Sequence, residues 1–362
     1  MNNFNSLYPL RRIHGIVHEW LERKKKKWEF ILYICYPLGE KYYVLGTPQH
    51  TNLGDSAIVL SEISFLKQCG IREKRIKEVT TEEYKEYKDI LKARIRKSDK
   101  IFLHGGGNMG DQWFGEELLR RDMLSTFEKN KIIIFPQTIF YSDTTKGQKE
   151  EKNSISFYNR NNLTIVAREY MSFERMKYLY PNANVLLTSD IVLSTNKDIF
   201  GVKQQERKGI LLCLRSDMEK AMSLAEHKMI KEFLEKNNCQ VRVTDMYSEC
   251  AVTKKNRYDC VKRKMNEFAT ARLVITDRLH GMVFSAITGT PCIVFGNYNY
   301  KVEGTYEWIK YLEYIRFVKS VDEMEKAFLQ LYSLESCEYN NIPILSNFEN
   351  LTKIVKEYRE EN

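Results

Sequence analysis

The sequence predicts an α/β fold made of two Rossmann-like domains that face a cleft. Short runs rich in β-branched and aromatic residues alternate with longer amphipathic segments, which is typical of parallel strands joined by crossover helices. The alternation stops at a polar stretch without periodicity, residues 194–208, and then starts again. We therefore predict a basic N-terminal segment over 1–40, a first domain over 41–193, a linker over 194–208 and a second domain over 209–362.

The predicted strands are apolar runs bounded by polar or turn-forming residues. The first half contains five of them and the second half four, at 42–47, 100–105, 131–136, 163–168, 185–190, 209–215, 240–245, 272–277 and 291–295. Helical periodicity between the strands predicts helices such as 56–68 and 82–96, and a final helix over 347–360.

Composition narrows the class of protein. A chain of 362 residues suits two domains of ordinary size, and 43% hydrophobic residues are too many for a disordered chain. No apolar run approaches the ~20 residues that a membrane-spanning helix needs. The eight cysteines form neither a CxxC pair nor a Cys/His metal spacing. We therefore expect reduced thiols, a cytoplasmic location and no structural zinc.

The net charge of +9 is concentrated near the N-terminus. Residues 1–100 carry 20 Lys and Arg against 13 Asp and Glu, and the densest run, Arg23–Lys27, lies between Trp20 and Trp28. A basic run with flanking aromatics suits an anionic membrane surface, so peripheral membrane contact is one interpretation. A solvated helix face is the other. Without a zinc-finger, RNP or helix-turn-helix signature, we predict no nucleic-acid partner.

An arginine and a histidine follow the strand LVIT directly. Arg278 and His280 come at its carboxyl end, where ligands bind in open α/β sheets. A guanidinium binds anions through two parallel hydrogen bonds, and an imidazole carries a proton near neutral pH. The alternative is a helix-capping segment whose histidine is merely a satisfied polar group.

Three further strand ends carry polar side chains. Asn52 and Asp55 lie in a loop that opens a helix, where they either cap it or serve as an anion site and a base or sugar ligand. Arg168 follows another strand; it either clamps a ligand or pairs with Glu169, since burying it alone is costly. Lys301 follows the strand after His280. Together the cations predict a cleft for a small substrate with several negative charges.

The stretch LHGGGNMGD contains the spacing G-x-G-x-x-G at Gly105, Gly107 and Gly110. A dinucleotide site needs an acidic residue after the next strand, and that strand ends in residues 136–138, Pro-Gln-Thr. We therefore predict a tight turn that lets the backbone approach a ligand, rather than a nicotinamide site. The candidate substrate contacts in this stretch are Gly106, Asn108 and Asp111.

The ordered motifs resemble those of the polysaccharide pyruvyl transferase family. They are TNLGDSA at 51–57, LHGGGNMGD at 103–111, VAREYMS and LTSDIVL at 166–172 and 187–193, and TDRLHGMVFSAITGTPCIVF at 276–295. The resemblance implies an architecture similar to glycosyltransferase B enzymes. It also implies transfer of a pyruvyl group from phosphoenolpyruvate to a sugar of a cell-surface polysaccharide or its precursor, which forms a ketal without a redox cofactor or metal.

The resemblance also implies roles for individual residues. Arg278 and Arg168 match the arginines that bind the donor, His280 the general acid, and Lys301 a functional lysine. Asp55 matches the acidic residue of the first loop and is our second catalytic candidate. Residues 47–51, TPQHT, depart from the glycine-rich loop of the family, so the acceptor side is expected to differ.

The expected partners are phosphoenolpyruvate and a sugar acceptor, either lipid-linked or free. Two rival functions stay open at this point: a glycosyltransferase B-type enzyme that uses a nucleotide sugar, and a glycan-binding family member without catalysis. His104, which also ends a strand, is the second choice of acid.

Overall fold

The computed structural model describes residues 8–203, 205–215, 222–334 and 337–360, with side chains described from residue 18 to residue 359. It contains two sheets in which every paired strand is parallel. α-Helices connect most of the successive strands, as the alternation in the sequence predicts; the exceptions are β3–β4 and β7–β8. The α/β fold class is confirmed.

The first sheet has seven strands. Their order is β2-β1-β3-β5-β6-β7, and β4 pairs with β5 beyond the end of β3. The strands are β1 Tyr42–Thr47, β2 Ile76–Thr80, β3 Lys100–Leu103, β4 Gly106–Gly110, β5 Ile132–Phe140, β6 Leu163–Ala167 and β7 Asn184–Leu187. The helices before and between them are α1 Tyr8–Cys35, α2 Leu53–Gln68, α3 Thr81–Arg94, α4 Phe114–Thr126, α5 Thr145–Tyr158 and α6 Tyr170–Leu179.

The second sheet has five strands in the order β12-β11-β10-β8-β9. The strands are β8 Ile210–Cys213, β9 Val241–Val243, β10 Leu273–Thr276, β11 Cys292–Phe295 and β12 Ile315–Val318. The helices of this half are α7 Leu224–Lys236, α8 Arg257–Ala269, α9 Leu279–Thr288, α10 Lys301–Ile309, α11 Val321–Leu331, α12 Ile342–Leu345 and α13 Glu349–Glu360. In the part of the chain that the structure describes, none of the helices is both long enough and apolar enough to cross a bilayer.

All nine predicted strands are present, and three strands were missed. β2 reads IKEVT and carries a lysine and a glutamate, β12 is only four residues long, and β4 is glycine-rich. β2 and β12 lie at the edges of their sheets, and β4 pairs only with β5 beyond the end of β3. Charged and glycine residues are tolerated at such positions. Central strands such as β10 are buried along their whole length because helices cover both faces.

The last helix packs on the first sheet, although we assigned it to the second domain. The rings of Phe348 and Phe65 lie 5.9 Å apart, and Tyr358 faces the ammonium groups of Lys100 and Lys131. Leu351 belongs to a core that runs through both halves without interruption. The chain therefore ends on its first half, and the boundaries at 193 and 209 remain a proposal.

Candidate functional site

The cleft lies where the strand order reverses in both sheets. β1 and β3 flank that point in the first sheet, and β8 and β10 flank it in the second. Ligands bind at such switch points, outside the carboxyl ends of the strands. A cavity of about 360 Å³ opens there, within the size range of small-molecule sites. It is lined by His50, Asn52, Asp55, Gly107, Asn108, Trp113, Glu116, Arg168, Arg215, Met246, Tyr247, Arg278, Leu279, His280 and Lys301.

Backbone contacts between the two halves fix one wall of the cavity. The amide of Leu53 donates to the carbonyl of Met246, and the amide of Ser248 donates to the carbonyl of Thr51, both at 2.8 Å. Thus the loop before α2 and the loop after β9 form a short antiparallel bridge. The residues that they carry face the same space from opposite halves.

Arg168 follows β6 and is buried at the edge of the cavity. Its Nε donates to Thr138 Oγ1 at 2.7 Å, and its Nη1 donates to Asp190 Oδ2 at 2.8 Å. The remaining Nη2 lies against Gly107, where an added Cβ would come within 2.6 Å of it. The absence of a side chain at Gly107 therefore leaves room for the guanidinium. Residues 106–110 form the strand β4 rather than the predicted tight turn, and a backbone approach to a ligand stays a prediction.

Arg278 lies between β10 and α9 on the opposite side. Its Nη2 contacts Asp245 Oδ1 at 2.6 Å, and its guanidinium lies 5.1 Å from the ring centre of Tyr247. Gly281, in the first turn of α9, packs against Thr276, where a Cβ would overlap the threonine side chain. The backbone of Arg278 therefore belongs to a tightly packed turn between strand and helix, which fixes the position of its side chain.

His280 reaches from α9 to the first half of the chain. Its ring packs on Gly54 at the start of α2, where an added Cβ would lie 2.6 Å from the ring Cγ. Its Nε2 lies 3.6 Å from Asp190 Oδ2. The imidazole is thus held between a helix N-terminus and a carboxylate, both supplied by the other half.

Asp190 lies between a candidate donor-binding arginine and the candidate acid. The carboxylate is fully buried, binds Arg168 and the amide of Val192, and faces His280. Burial alone would raise its pKa, but the nearby His280 ring, the charge of Arg168 and the hydrogen bond from the Val192 amide together hold the pKa well below its usual range. The group is therefore an anion. In the sequence it is only the last residue of the predicted strand 185–190.

The pKa of a second buried carboxyl, Asp277, is shifted in the opposite direction. Burial raises its pKa to about 6, against the lowering effects of the Arg215 amide and of the Arg215 and Arg278 charges. Its Oδ1 accepts from the Arg215 amide at 2.8 Å. Arg215 lines the cavity and was missed in the sequence, although it ends the predicted strand 209–215 as Arg168 ends its own.

The loop before α2 supplies both a cap and site groups. Asn52 accepts a hydrogen bond from the Gly54 amide at 2.9 Å, so it caps α2 and also lines the cavity. Asp55 Oδ2 lies 3.5 Å from His50 Nε2, and both side chains are partly exposed to the cavity. His50, which lies in the part of the loop that departs from the family pattern, is therefore a site residue.

The three candidate contacts of the glycine-rich segment differ in their relation to the cavity. Asn108 lines the cavity and accepts a hydrogen bond from Arg120. Gly106 has a φ of +126° and lies beside Asp55, but its neighbour Gly107 lines the cavity in its place. Asp111 also lies outside the cavity lining and accepts hydrogen bonds from the amide and hydroxyl of Ser142.

His104 is also outside the cavity lining, and its Nδ1 lies 3.0 Å from the fully buried Glu62. Lys301, the first residue of α10, is buried and lines the cavity.

The lining of the cavity therefore combines four Lys and Arg side chains with two carboxylates. The cations are Arg168, Arg215, Arg278 and Lys301, and the carboxylates are Asp55 and Glu116. Among the described residues, no group of three or more His, Cys, Asp or Glu side chains is arranged to hold a metal ion.

Comparison with known proteins adds independent findings. The family model for polysaccharide pyruvyl transferase matches residues 52–300. The chain is 34% identical over 316 residues to General stress protein 30 of Bacillus subtilis, which covers 86% of this chain and 90% of that protein. It is 29% identical over 277 residues to Pyruvyl transferase 1 of Schizosaccharomyces pombe, covering 71% and 66%.

A solved structure confirms the architecture. The UDP-GlcNAc 2-epimerase of Methanocaldococcus jannaschii, in complex with UDP-GlcNAc and UDP, superposes with a TM-score of 0.53 at 10% identity, over 88% of this chain and 100% of that one. Its fold is similar to glycosyltransferase B enzymes, so the expected architecture is confirmed. The family model covers more than half of the chain and includes the strand ends that build the cavity. The protein belongs to the polysaccharide pyruvyl transferase family.

Proposed function

We propose that the protein transfers a pyruvyl group from phosphoenolpyruvate to a sugar of a cell-surface polysaccharide or its precursor, forming a ketal. The observation that carries this proposal is a cavity in which cations from both halves surround His280, itself faced by the buried anion Asp190. Family membership supports the pyruvyl transferase reaction class. The nature of the donor is inferred from charge.

Phosphoenolpyruvate fits the charge of the cavity. Its carboxylate and phosphate carry several negative charges, and two arginines can each bind one of them with two hydrogen bonds. Arg168 and Arg278 approach from opposite halves, with Arg215 and Lys301 beside them. We assign the first two to the donor anions and the other two to neutralisation of the phosphate.

The reaction begins with a proton from His280. The imidazolium protonates the methylene carbon of the donor, and the neighbouring carbon becomes a cation that a sugar hydroxyl attacks. Phosphate then leaves with its bridging oxygen, and a second hydroxyl attacks the same carbon to close the ketal. The first hydroxyl proton goes to Asp55, which returns it to His280, and the second leaves on phosphate. Asp190 orients the imidazole throughout.

The acceptor is assigned to the exposed end of the cavity. Trp113 and Tyr247 are each about two-fifths exposed there, and aromatic faces of this kind commonly line the apolar walls of ligand sites. Asn52, Asn108 and the His50–Asp55 pair offer hydrogen-bonding groups to sugar hydroxyls. All eight cysteines are free thiols, and we assign the reaction to the cytoplasm.

Calorimetric titration with phosphoenolpyruvate tests the donor site. Arg168→Ala and Arg278→Ala should each weaken binding by about 2–5 kcal/mol, because each leaves substrate charge unpaired. The lysine variants should recover only part of the loss, since an ammonium is a point charge. The matched control is Arg175→Ala, an exposed arginine paired with Glu151 outside the cavity.

The same titration separates the rival functions. Unchanged affinity in both alanine variants would remove the proposed donor site. Binding of UDP-GlcNAc with no response to phosphoenolpyruvate would assign a nucleotide-sugar transferase instead. Mass spectrometry of a set of glycan acceptors, each incubated with enzyme and donor, detects the ketal product. Donor binding without any such product would point to a family member without catalysis.

A further inference from the structure

The first helix contains a long exposed stretch. Each residue from 18 to 29 of α1 is exposed, and burial begins only at Phe30. The Phe30 ring stacks on Tyr87 of α3 at 4.4 Å, and Ile34 is completely buried one turn later. The C-terminal turns thus anchor α1, while residues 18–29 remain accessible to solvent.

The projecting part carries an apolar stripe. Leu21, Trp28 and Leu32 are separated by seven and four residues, so they lie along one face of the helix. Each is more than half exposed. The buried Phe30 and Ile34 each come two positions after Trp28 and Leu32, which is roughly 200° around the helix. The stripe therefore faces away from the body.

Lysines flank this stripe. Lys24 and Lys25 lie on either side of it, three and four residues after Leu21. Arg23, Lys24 and Lys27 border a groove against α3, together with Glu86 and Asp89, and the Lys24 ammonium lies 3.8 Å from the centre of the Trp20 ring. Lys25 has Glu22 three residues before it and Glu29 four residues after it on the same helix. The five cations of Arg23–Lys27 outnumber these two carboxylates, so this stretch of α1 keeps a net positive charge beside the apolar stripe.

We propose that this outward face docks on an anionic phospholipid membrane. The apolar side chains enter the boundary between headgroups and acyl chains, while Lys24 and Lys25 reach lipid phosphates along their flexible stems. Five consecutive cations at the centre of the helix keep it in the plane of the membrane surface.

Charge decides between this occupant and two others. A second copy packed on the stripe would bring two basic runs together, and like charges repel. A nucleic acid would pair with the lysines but leave the exposed leucines and tryptophan without an apolar partner. Docking does not depend on the proposed reaction. Only its use, the presentation of a lipid-linked acceptor, rests on the proposed function.

Vesicle co-sedimentation tests the proposal with the full chain. The probes are vesicles of phosphatidylcholine alone and vesicles with about one-third phosphatidylglycerol. We expect binding to the anionic vesicles only, with a strong decrease between 50 and 500 mM salt. Lys24→Gln with Lys25→Gln should lower the partition coefficient roughly 30-fold. Replacement of Leu21, Trp28 and Leu32 by serine should lower it at least about tenfold at low salt.

Control variants and two further measurements distinguish membrane docking from binding of a second copy or of nucleic acid. Leu329→Ser removes an equally exposed leucine from α11 and should not change binding. Equal melting temperatures exclude unfolding as a cause. Failure to bind anionic vesicles, or binding that is insensitive to the serine variant, overturns the proposal. A dimer in light scattering that the serine variant separates assigns the stripe to a second copy. Displacement from vesicles by duplex RNA at equal phosphate assigns the face to nucleic acid.

Discussion

At the scale of single residues, the site depends on a buried carboxylate that serves two partners. Asp190 binds Arg168 directly and faces His280 across 3.6 Å, so the proposed donor clamp and the proposed acid share one anion. Burying such a charge without partners would cost several kcal/mol, which explains why both groups converge on it. The position of the imidazole is therefore tied to the arginine.

The acid role of His280 predicts a kinetic defect rather than a binding defect. His280→Gln should reduce kcat by about 10²–10⁴-fold while the affinity for phosphoenolpyruvate stays near the wild-type value. An amide can donate a hydrogen bond but cannot deliver a proton to carbon. Steady-state kinetics and calorimetry on the same preparation measure the two quantities.

His104→Gln is the matched control for that experiment. His104 pairs with the buried Glu62 outside the cavity, so its loss should lower the melting temperature and leave kcat nearly unchanged. A nearly normal kcat in the His280 variant together with an inactive His104 variant would transfer the acid role to His104.

Asp277 predicts a pH dependence of stability. Its pKa is about 6 in the folded protein and near 4 in the unfolded chain, so folding favours the protonated form. The stability that this contributes is complete below pH 4 and is lost as the pH rises through 6. Between pH 4 and pH 8, the wild type should lose about 2 kcal/mol relative to Asp277→Asn. Urea unfolding across that range measures the free energy of unfolding of both proteins. Parallel plots of stability against pH for the two proteins would contradict the raised pKa of Asp277.

At the scale of elements, the start of α2 and the turn from β10 to α9 form one packed unit. Asn52 caps α2, and Gly54, one position inside the helix, contacts the His280 ring. A glycine is needed there because of the close approach of another element rather than because of its own backbone angles. The helix can thus hold the imidazole at the cavity wall.

Gly54→Ala should therefore displace His280 without unfolding the protein. The new Cβ would overlap the ring, and a shift of about 1 Å in a catalytic group can cost about 10²-fold in rate. We expect that loss in kcat, measured with saturating donor. Gly115→Ala, a helical glycine with nothing within 4 Å of its Cβ position, is the control. Equal activities of the two variants would show that the contact has no catalytic consequence.

At the scale of the whole molecule, a buried ion pair helps to hold the halves together. Arg257 on α8 is almost completely buried and donates to Glu78 Oε1 at 2.7 Å and to the carbonyl of Pro48 at 3.0 Å. The carbonyl belongs to the loop after β1 that continues into the cavity wall. The distance between the halves, and with it the cavity, is thus tied to this contact.

Arg257→Leu should lower the free energy of unfolding by about 3–5 kcal/mol, since it leaves Glu78 without its partner inside the interface. The neighbouring pair between Lys254 and Glu83 crosses the same interface but is about one-quarter exposed, so Lys254→Met should cost less than about 1 kcal/mol. Chemical denaturation measures the free energy of unfolding of the Arg257→Leu and Lys254→Met variants. Equal losses would mean that burial does not determine the strength of these contacts.

Much of the fold could be predicted from the chain because parallel sheets leave a strong local pattern. Nine of the twelve strands in the described residues match predicted runs, most of them apolar, and Arg168, Arg278, His280 and Lys301 each follow such a run. Strand ends are visible in a sequence, and parallel strands bring their carboxyl ends to one edge of a sheet. Seven of the fifteen residues that line the cavity were therefore predicted from local pattern, and Arg215 carried the same signal unrecognised.

Other features required the tertiary structure because they depend on residues far apart in the sequence. The contact of Gly54 with His280, the sharing of Asp190 and the return of α13 to the first sheet each join segments more than 80 residues apart. The sequence predicts Asp111 as a substrate contact, whereas in the structure both of its oxygens accept hydrogen bonds from Ser142 and it lies outside the cavity lining. The sequence by itself determined the fold class and which strand ends carry charge. Only the packing of the two halves decided which of those charges meet, because burial and pairing are properties of neighbours in space.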